Sequence, residues 1–271
     1  MLHKKNNLVS NNLEIGLDEA GRGPLIGRVY AGAVVWPNMR QASHERDDVS
    51  TLVEQSSNKS HKDQKSKTQF LIHDVSTQVS NQNKNSSVNS LLLHNSTHNN
   101  FTLNELKYIK DSKKLSTVKR ENALKWIQTN IPYWGVGYAD EKEIDTINIL
   151  NATKLAMDRA IINLKNKLNN NLIITNLIID GTGWDNKFSP YIVDSIIKGD
   201  NLYYSIAAAS IIAKTYHDKY INDLCKLDPL LDTYYFLSKN MGYPTKDHRN
   251  GLIKYGPSIY HRTSFNGVKK L

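Results

Sequence analysis

From residue 13 onward, short apolar runs alternate with longer helical stripes. Leu13–Asp18 reads as a strand closed by two adjacent acids, and "VYAGAVVW" (Val29–Trp36) as a second. The loop between them carries three glycines, which makes a hairpin plausible. "YWGVGYA" (Tyr133–Ala139) predicts a third strand and "SIIKGD" (Ser195–Asp200) a fifth. Between these, "NLIIDG" (Asn176–Gly181) has the unbroken apolar character of a strand covered on both faces. Ser116 is a helix N-cap before "TVKRENALKWIQTN", with Val118, Leu124 and Ile127 as its apolar positions. A long helix is expected over Ile144 to about Leu168, with Ile147, Leu150, Leu155, Ile161 and Leu164 as its stripe. "YSIAAASIIAKTYHDKYINDL" (Tyr204–Leu224) predicts a helix whose alanines allow close packing, and the tail from Asn240 reads as loops and a short helix. Strands alternating with helices predict an α/β domain with a mixed sheet.

One block breaks the pattern. Residues from about 38 to 103 are rich in Ser, Asn, Gln, Lys and His and sustain neither period. Such a segment buries too little apolar surface to offset its ordering entropy, so it reads as a disordered insertion in a surface loop. His44, His61, His73, His94 and His98 lie in it at spacings that match no metal-site pattern.

Charge and composition narrow the partner. The 271 residues carry a formal net charge of +9, which favours an anionic partner, nucleic acid first. A single cysteine, Cys225, excludes an intramolecular disulfide and fits a reducing compartment. No run is long and apolar enough for a membrane span, and the first residues lack a secretory pattern, so a cytoplasmic protein is expected.

Asp18, Asp180 and Asp200 share a position: each sits at or beside the end of an apolar strand, where α/β sheets bind ligands. One such Asp is often only a turn or cap residue. Three of them, with Glu19 as a fourth acid in a basic chain, point to a site. Carboxylate oxygens without Cys or candidate His ligands select Mg²⁺ or Mn²⁺ and suggest two-metal phosphodiester chemistry. The bare "GRG" loop (Gly21–Gly23) would then admit a close approach to its backbone, with Arg22 as a cationic clamp. A tight hairpin turn needing positive φ is the simpler reading and is compatible with it.

In order along the chain, "IGLDEAGRGPLIG", "DSKKLS", "LIIDG", "KGD", "AAASIIAK", "GYPTKDH" and "YGPSIYHRTSF" resemble ribonuclease HII, the type 2 ribonuclease H. The resemblance implies a ribonuclease H-like catalytic domain over about 12–224, interrupted by the insertion, and a C-terminal helical extension over 225–271 that completes the substrate cleft. It implies hydrolysis of the RNA strand of RNA–DNA hybrids and incision 5′ of single ribonucleotides in duplex DNA, leaving 5′-phosphate and 3′-hydroxyl ends. Asp18, Glu19, Asp180 and Asp200 would be the catalytic metal ligands. Gly21, Arg22 and Gly23 would read the ribose 2′-hydroxyl, Tyr243 would stack on the sugar beyond the scissile bond, and Lys113, Lys114, Ser210 and Lys214 would contact phosphates. A monomer without an obligate protein partner is expected. His217 stands before Asp218 where the family often has Arg, and a structural pairing is expected there. The alternatives are a hybrid-binding protein that does not cut and another nuclease of the same fold. Retention of all four acids weighs against the first, and the "GRG" loop with Tyr243 against the second.

Overall fold

The computed structural model describes residues 12–37, 106–168 and 171–269, which belong to one compact unit. The expected insertion at about 38–103, with its five histidines, lies outside the described residues. Five strands form one sheet: β1 (Asn12–Ala20), β2 (Val29–Val34), β3 (Trp134–Ala139), β4 (Ile173–Asp180) and β5 (Ile192–Ile196), in the order β3-β2-β1-β4-β5. β1, β2 and β3 pair antiparallel, and β1, β4 and β5 pair parallel, which is the mixed sheet expected. The helices are α1 (Thr117–Asn130), α2 (Glu141–Lys165), α3 (Tyr204–Leu227), α4 (Pro229–Tyr235), the single turn α5 (Leu237–Asn240) and α6 (Lys246–Tyr255).

Both faces of the sheet are covered. Leu13, Ile15 and Leu17 form one core cluster with Ala156, Met157, Ala160 and Leu164 of α2. On the opposite face, glycines of β1 and β2 meet α3. Gly16 lies against Ser205, and a Cβ placed on Gly32 would sit 2.2 Å from the carbonyl oxygen of Ala209. The alanines of α3 thus let its backbone rest directly on β1 and β2. Asp18 shares that face, because it follows Gly16 by two residues and pairs with Gly32. Gly32→Val is therefore expected to force the helix off the sheet at a cost of about 1–3 kcal/mol or more. A thermal melt within a degree of the wild type would contradict this packing.

Several boundaries differ from the sequence reading, each for a local reason. α2 starts at Glu141 because Asp140 and Glu143 form a reciprocal capping box, Asp140 Oδ1 accepting from Glu143 N at 2.9 Å and Glu143 Oε2 from Asp140 N at 3.0 Å. It breaks at Asn148, whose φ is +67° and whose side chain caps Leu150 and Asn151. That break leaves Leu150 exposed although its spacing placed it in the buried stripe. On α1, Val118 is likewise exposed, and Arg120, Ala123 and Ile127 are the buried residues. β5 ends at Ile196, before Asp200, because Lys198 turns left-handed (φ +57°) into a 3-10 turn at Gly199–Asn201. The boundary expected at residue 225 falls inside α3. The last turns of α3 carry Ile221 and Leu224 into a second core cluster with Leu231, Tyr235, Leu237 and Leu252. Leu25 and Ile26, from the loop after β1, join the same cluster, so the C-terminal helices pack against that loop.

Candidate active site

The strand register assembles the acids. Leu17 pairs with Ile179 in the parallel β1–β4 ladder, which places Asp18 beside Asp180 at the carboxyl ends of both strands. The turn after β5 brings Asp200 alongside, with the Gly199 amide donating to Asp180 Oδ1 at 2.7 Å. Asp18 is 6 % exposed and Asp200 5 %. Burial, then the like charges of Glu19 and Asp180, raise the Asp18 carboxyl well above its ordinary range. A hydrogen bond from the Ser210 hydroxyl offsets part of that rise. Glu19 is also raised, chiefly by burial, against the pull of Arg22. Asp200 is raised by burial and by Asp180 and Asp111. Buried acids that repel one another call for a cation.

Among the described residues the chain sets its own cations, Arg22 and Lys113, against the acids. Burial opposes the charge of Lys113, yet Asp18, Asp200, Asp111 and Asp180 outweigh burial and hold its pKa above that of an ordinary lysine. The donor set also fits hard divalent cations, being four carboxylates, with Glu19 Oε2 buried and unpartnered among the described residues. As they stand, the side chains are spread over internal contacts: Glu19 Oε1 accepts from Arg22 Nη1 at 3.1 Å and Asp200 Oδ1 from Asn201 Nδ2 at 2.8 Å. Among the described residues no three His, Cys, Asp or Glu side chains converge as a ready-made coordination set.

The "DSKK" segment borders the acids. Asp111 caps the 3-10 turn Ser112–Lys114, accepting from the Lys113 amide. Ser112 Oγ lies 2.9 Å from Ser210 Oγ. Ser210, expected at a phosphate, is buried between Ser112 and Asp18. Lys114 reaches Asp111 Oδ2 at 3.3 Å and Asn201 Oδ1 at 3.2 Å. Lys214, also expected at a phosphate, is paired with Asp218 Oδ1 at 2.8 Å. Asp218 in turn accepts from Arg120 Nη2 at 2.6 Å and lies 3.0 Å from His217 Nδ1, which is the structural pairing expected for His217.

The "GRG" loop is held by a residue that sequence reasoning passed over. Arg262 is fully buried and fastens four loop carbonyls: Nε donates to Gly27 O (2.8 Å), Nη1 to Pro24 O (2.8 Å) and Arg22 O (3.2 Å), and Nη2 to Gly21 O (2.7 Å). A lone arginine in a polar tail carries no sequence signal beyond its place in "YHRTSF". Gly21 has φ +91°, and a Cβ there would meet His217 Cδ2 at 2.4 Å, so the protein's own histidine occupies the space beside it. Arg22 and Gly23 are exposed, and among the described residues their amides have no backbone acceptor. Tyr243, 39 % exposed as a residue, stands over Gly23, 3.2 Å from where a Cβ would be, with Lys214 Nζ 5.6 Å from its ring centroid. Acids, lysines, bare loop and tyrosine thus form one surface.

The mixed five-stranded sheet with its flanking helices is an α/β fold of the ribonuclease H-like class. Residues 88–268 match the family described as ribonuclease HII. The ribonuclease HII of Bacteroides thetaiotaomicron is 35% identical over 254 residues, covering 94% of this chain and 90% of that protein. That of Ehrlichia canis is 45% identical over 174 residues, covering 62% and 76% respectively. This chain belongs to the ribonuclease HII family. Solved structures agree on the fold. The ribonuclease H2 of Pyrococcus horikoshii aligns over 95% of both chains with a TM-score of 0.51 at 20% identity. The ribonuclease HII solved in complex with PCNA from Archaeoglobus fulgidus aligns over 92% of both, with a TM-score of 0.54 at 18% identity.

Proposed function

We propose that the protein is a metal-dependent endoribonuclease that cuts the RNA strand of RNA–DNA hybrids and incises 5′ of single ribonucleotides in duplex DNA, leaving 5′-phosphate and 3′-hydroxyl ends. The observation that carries this reading is the meeting of the acids with a loop whose exposed residues Arg22 and Gly23 have no backbone acceptor among the described residues and stand beside an exposed tyrosine. The 2′-hydroxyl is the group that separates RNA from DNA at a given site. Backbone amides at Arg22 and Gly23 can donate to it where side chains would block the approach. Tyr243 offers its ring to the adjacent sugar, and a C2′-hydroxyl there would crowd the packed tyrosine.

Asp18, Glu19, Asp180 and Asp200 would hold two Mg²⁺ or Mn²⁺ ions. Such ions supply a polarised water and charge stabilisation at the scissile phosphate. Ser210 orients Asp18 and keeps it against the strand end. Lys113 and Lys114, exposed in the segment that borders the acids, would take flanking phosphates. Lys214 would assist through the field around Tyr243 rather than by a free ammonium, since Asp218 already holds it. The domain reading becomes a catalytic body with C-terminal helices that complete the cleft by bracing the loop. A cytoplasmic monomer is proposed, with hybrid or ribonucleotide-containing duplex as its partner.

A labelled DNA duplex with one ribonucleotide, given Mg²⁺, Mn²⁺ or a chelator, tests the reading. Incision 5′ of the ribonucleotide, only with metal and absent from an all-DNA control, is expected. Binding without incision would favour the non-cleaving binder. Tyr243→Ala should lower this incision about tenfold or more, the worth of a lost stacking contact of 1–3 kcal/mol. It should leave the melting temperature nearly unchanged, because the ring is partly exposed. Equal losses of stability and activity would return Tyr243 to a structural role.

A further inference from the structure

Two buried histidines lie outside everything assigned above. His248, from the first turns of α6, and His261, from the segment that carries Arg262, meet with Nε2 atoms 3.0 Å apart. Both are at most 2 % exposed. Their outer nitrogens are engaged as well. His261 Nδ1 lies 2.9 Å from the backbone nitrogen of Ser258 and 2.8 Å from its hydroxyl. His248 Nδ1 lies 3.0 Å from the carbonyl oxygen of Tyr243.

These contacts fix every proton. A backbone N–H can only donate, so His261 Nδ1 is an acceptor and carries no hydrogen. In the neutral ring the hydrogen is then on Nε2, which donates to His248 Nε2. His248 must hold its own hydrogen on Nδ1, which donates to the Tyr243 carbonyl, a group that can only accept. The chain runs in one direction from the Ser258 amide to the Tyr243 carbonyl. A second proton on either ring would set two donors face to face. Burial acts the same way, lowering His248 and pushing His261 down to about 3.

The relay joins the two segments that grip the Gly-rich loop from opposite sides. Gly242 O accepts from Leu25 N at 2.8 Å on one side. On the other, Arg262 N donates to Leu25 O at 2.8 Å, and Gly27 N to Tyr260 O at 2.8 Å. We propose that His248 and His261 are positioning residues for the cleavage reaction, a directed neutral pair that sets Tyr243 at a fixed height over Gly23. The proposal rests on the reading of Tyr243 as a substrate contact. A merely space-filling pair would need only apolar rings of the same size.

Two measurements test this, one of them independent of activity. Long-range ¹H–¹⁵N spectra of the ¹⁵N-labelled full chain at pH 7 are expected to show hydrogen on Nδ1 of His248 and on Nε2 of His261. Hydrogen on Nε2 of His248, or a doubly protonated ring, overturns the relay. In the ribonucleotide-duplex assay, His248→Phe is expected to raise KM about tenfold with a smaller change in kcat, the effect of an unsatisfied buried group. His248→Asn retains an N–H donor to the Tyr243 carbonyl where Nδ1 stood but leaves the His261 Nε2–H without its acceptor, so it is expected between the Phe variant and wild type, about threefold from the latter. Wild-type kinetics in the Phe variant, or an Asn variant as impaired as Phe, overturns the positioning role. Should the Phe variant not fold, the Asn variant decides. If the wild type itself fails to cleave, the proposed function falls, while the nitrogen spectra still decide the relay.

Discussion

Asp18→Asn is expected to reduce cleavage at least about a thousandfold, which corresponds to several kcal/mol of lost charge stabilisation. In metal-free buffer it is also expected to raise the melting temperature. The two effects share one cause. Asp18 is buried against Glu19 and Asp180, so its ionised form is disfavoured in the folded chain. A carboxyl whose folded pKa is raised binds a proton more tightly folded than unfolded. The wild type therefore loses stability as pH climbs from about 4, the unfolded aspartate value, to the raised folded value. Asparagine carries no such penalty. The stability gain of the variant should be absent near pH 3, grow through that window and level off above it. Each kcal/mol relieved corresponds to roughly 2–4 °C. Melting curves of both proteins with chelator across pH 3–8 measure this directly. A variant less stable at every pH would make Asp18 a structural residue.

Arg262→Lys is expected to be nearly as damaging to cleavage and, unlike the first change, to destabilise. Burial brings the Arg262 guanidinium down to about 10, so it is charged at neutral pH. Its planar fork serves four carbonyls at once. A lysine ammonium keeps the charge but cannot span those four oxygens, which would be left buried and unsatisfied. A loss of roughly 3 kcal/mol, or about 6–12 °C in melting temperature, is expected. Cleavage of the ribonucleotide duplex should fall with it, because the amides of Arg22 and Gly23 lose their fixed positions. A lysine variant with normal melting and activity would show that the loop stands without the clamp.

The acids were legible in the sequence because each stands where an apolar run stops. β1 and β4 carry Asp18 and Asp180 at paired strand ends, and pairing of parallel central strands is what such runs do. Ser116 was readable as a cap because the cap is local chemistry, and it accepts from Lys119 N as expected. Local breaks were harder. Asn148 interrupts α2 inside a good helical pattern, and a side chain that caps its own successors leaves no trace in apolar spacing. The turn at Lys198 was hidden for a similar reason, since a left-handed lysine looks like any other lysine. The internal contacts of Ser210 with Ser112 and of Lys214 with Asp218 join residues on different turns or elements and had no signal of their own in the sequence. Arg262 and the histidine pair were not legible as site residues. Their partners lie up to 241 residues away, and such contacts leave no periodic signature.

The grip of the last segment on the first loop sets an order for biosynthesis. Strands β1 and β2 leave the ribosome early and can pair as a hairpin, yet Gly21 and Pro24 find their donor only when Arg262 arrives. A nascent or truncated chain lacking that residue would carry the acids on an assembled sheet without a settled loop beside them. The loop beside the acids is thus completed by a contact that spans 241 residues of chain, later than the local pairing of β1 with β2.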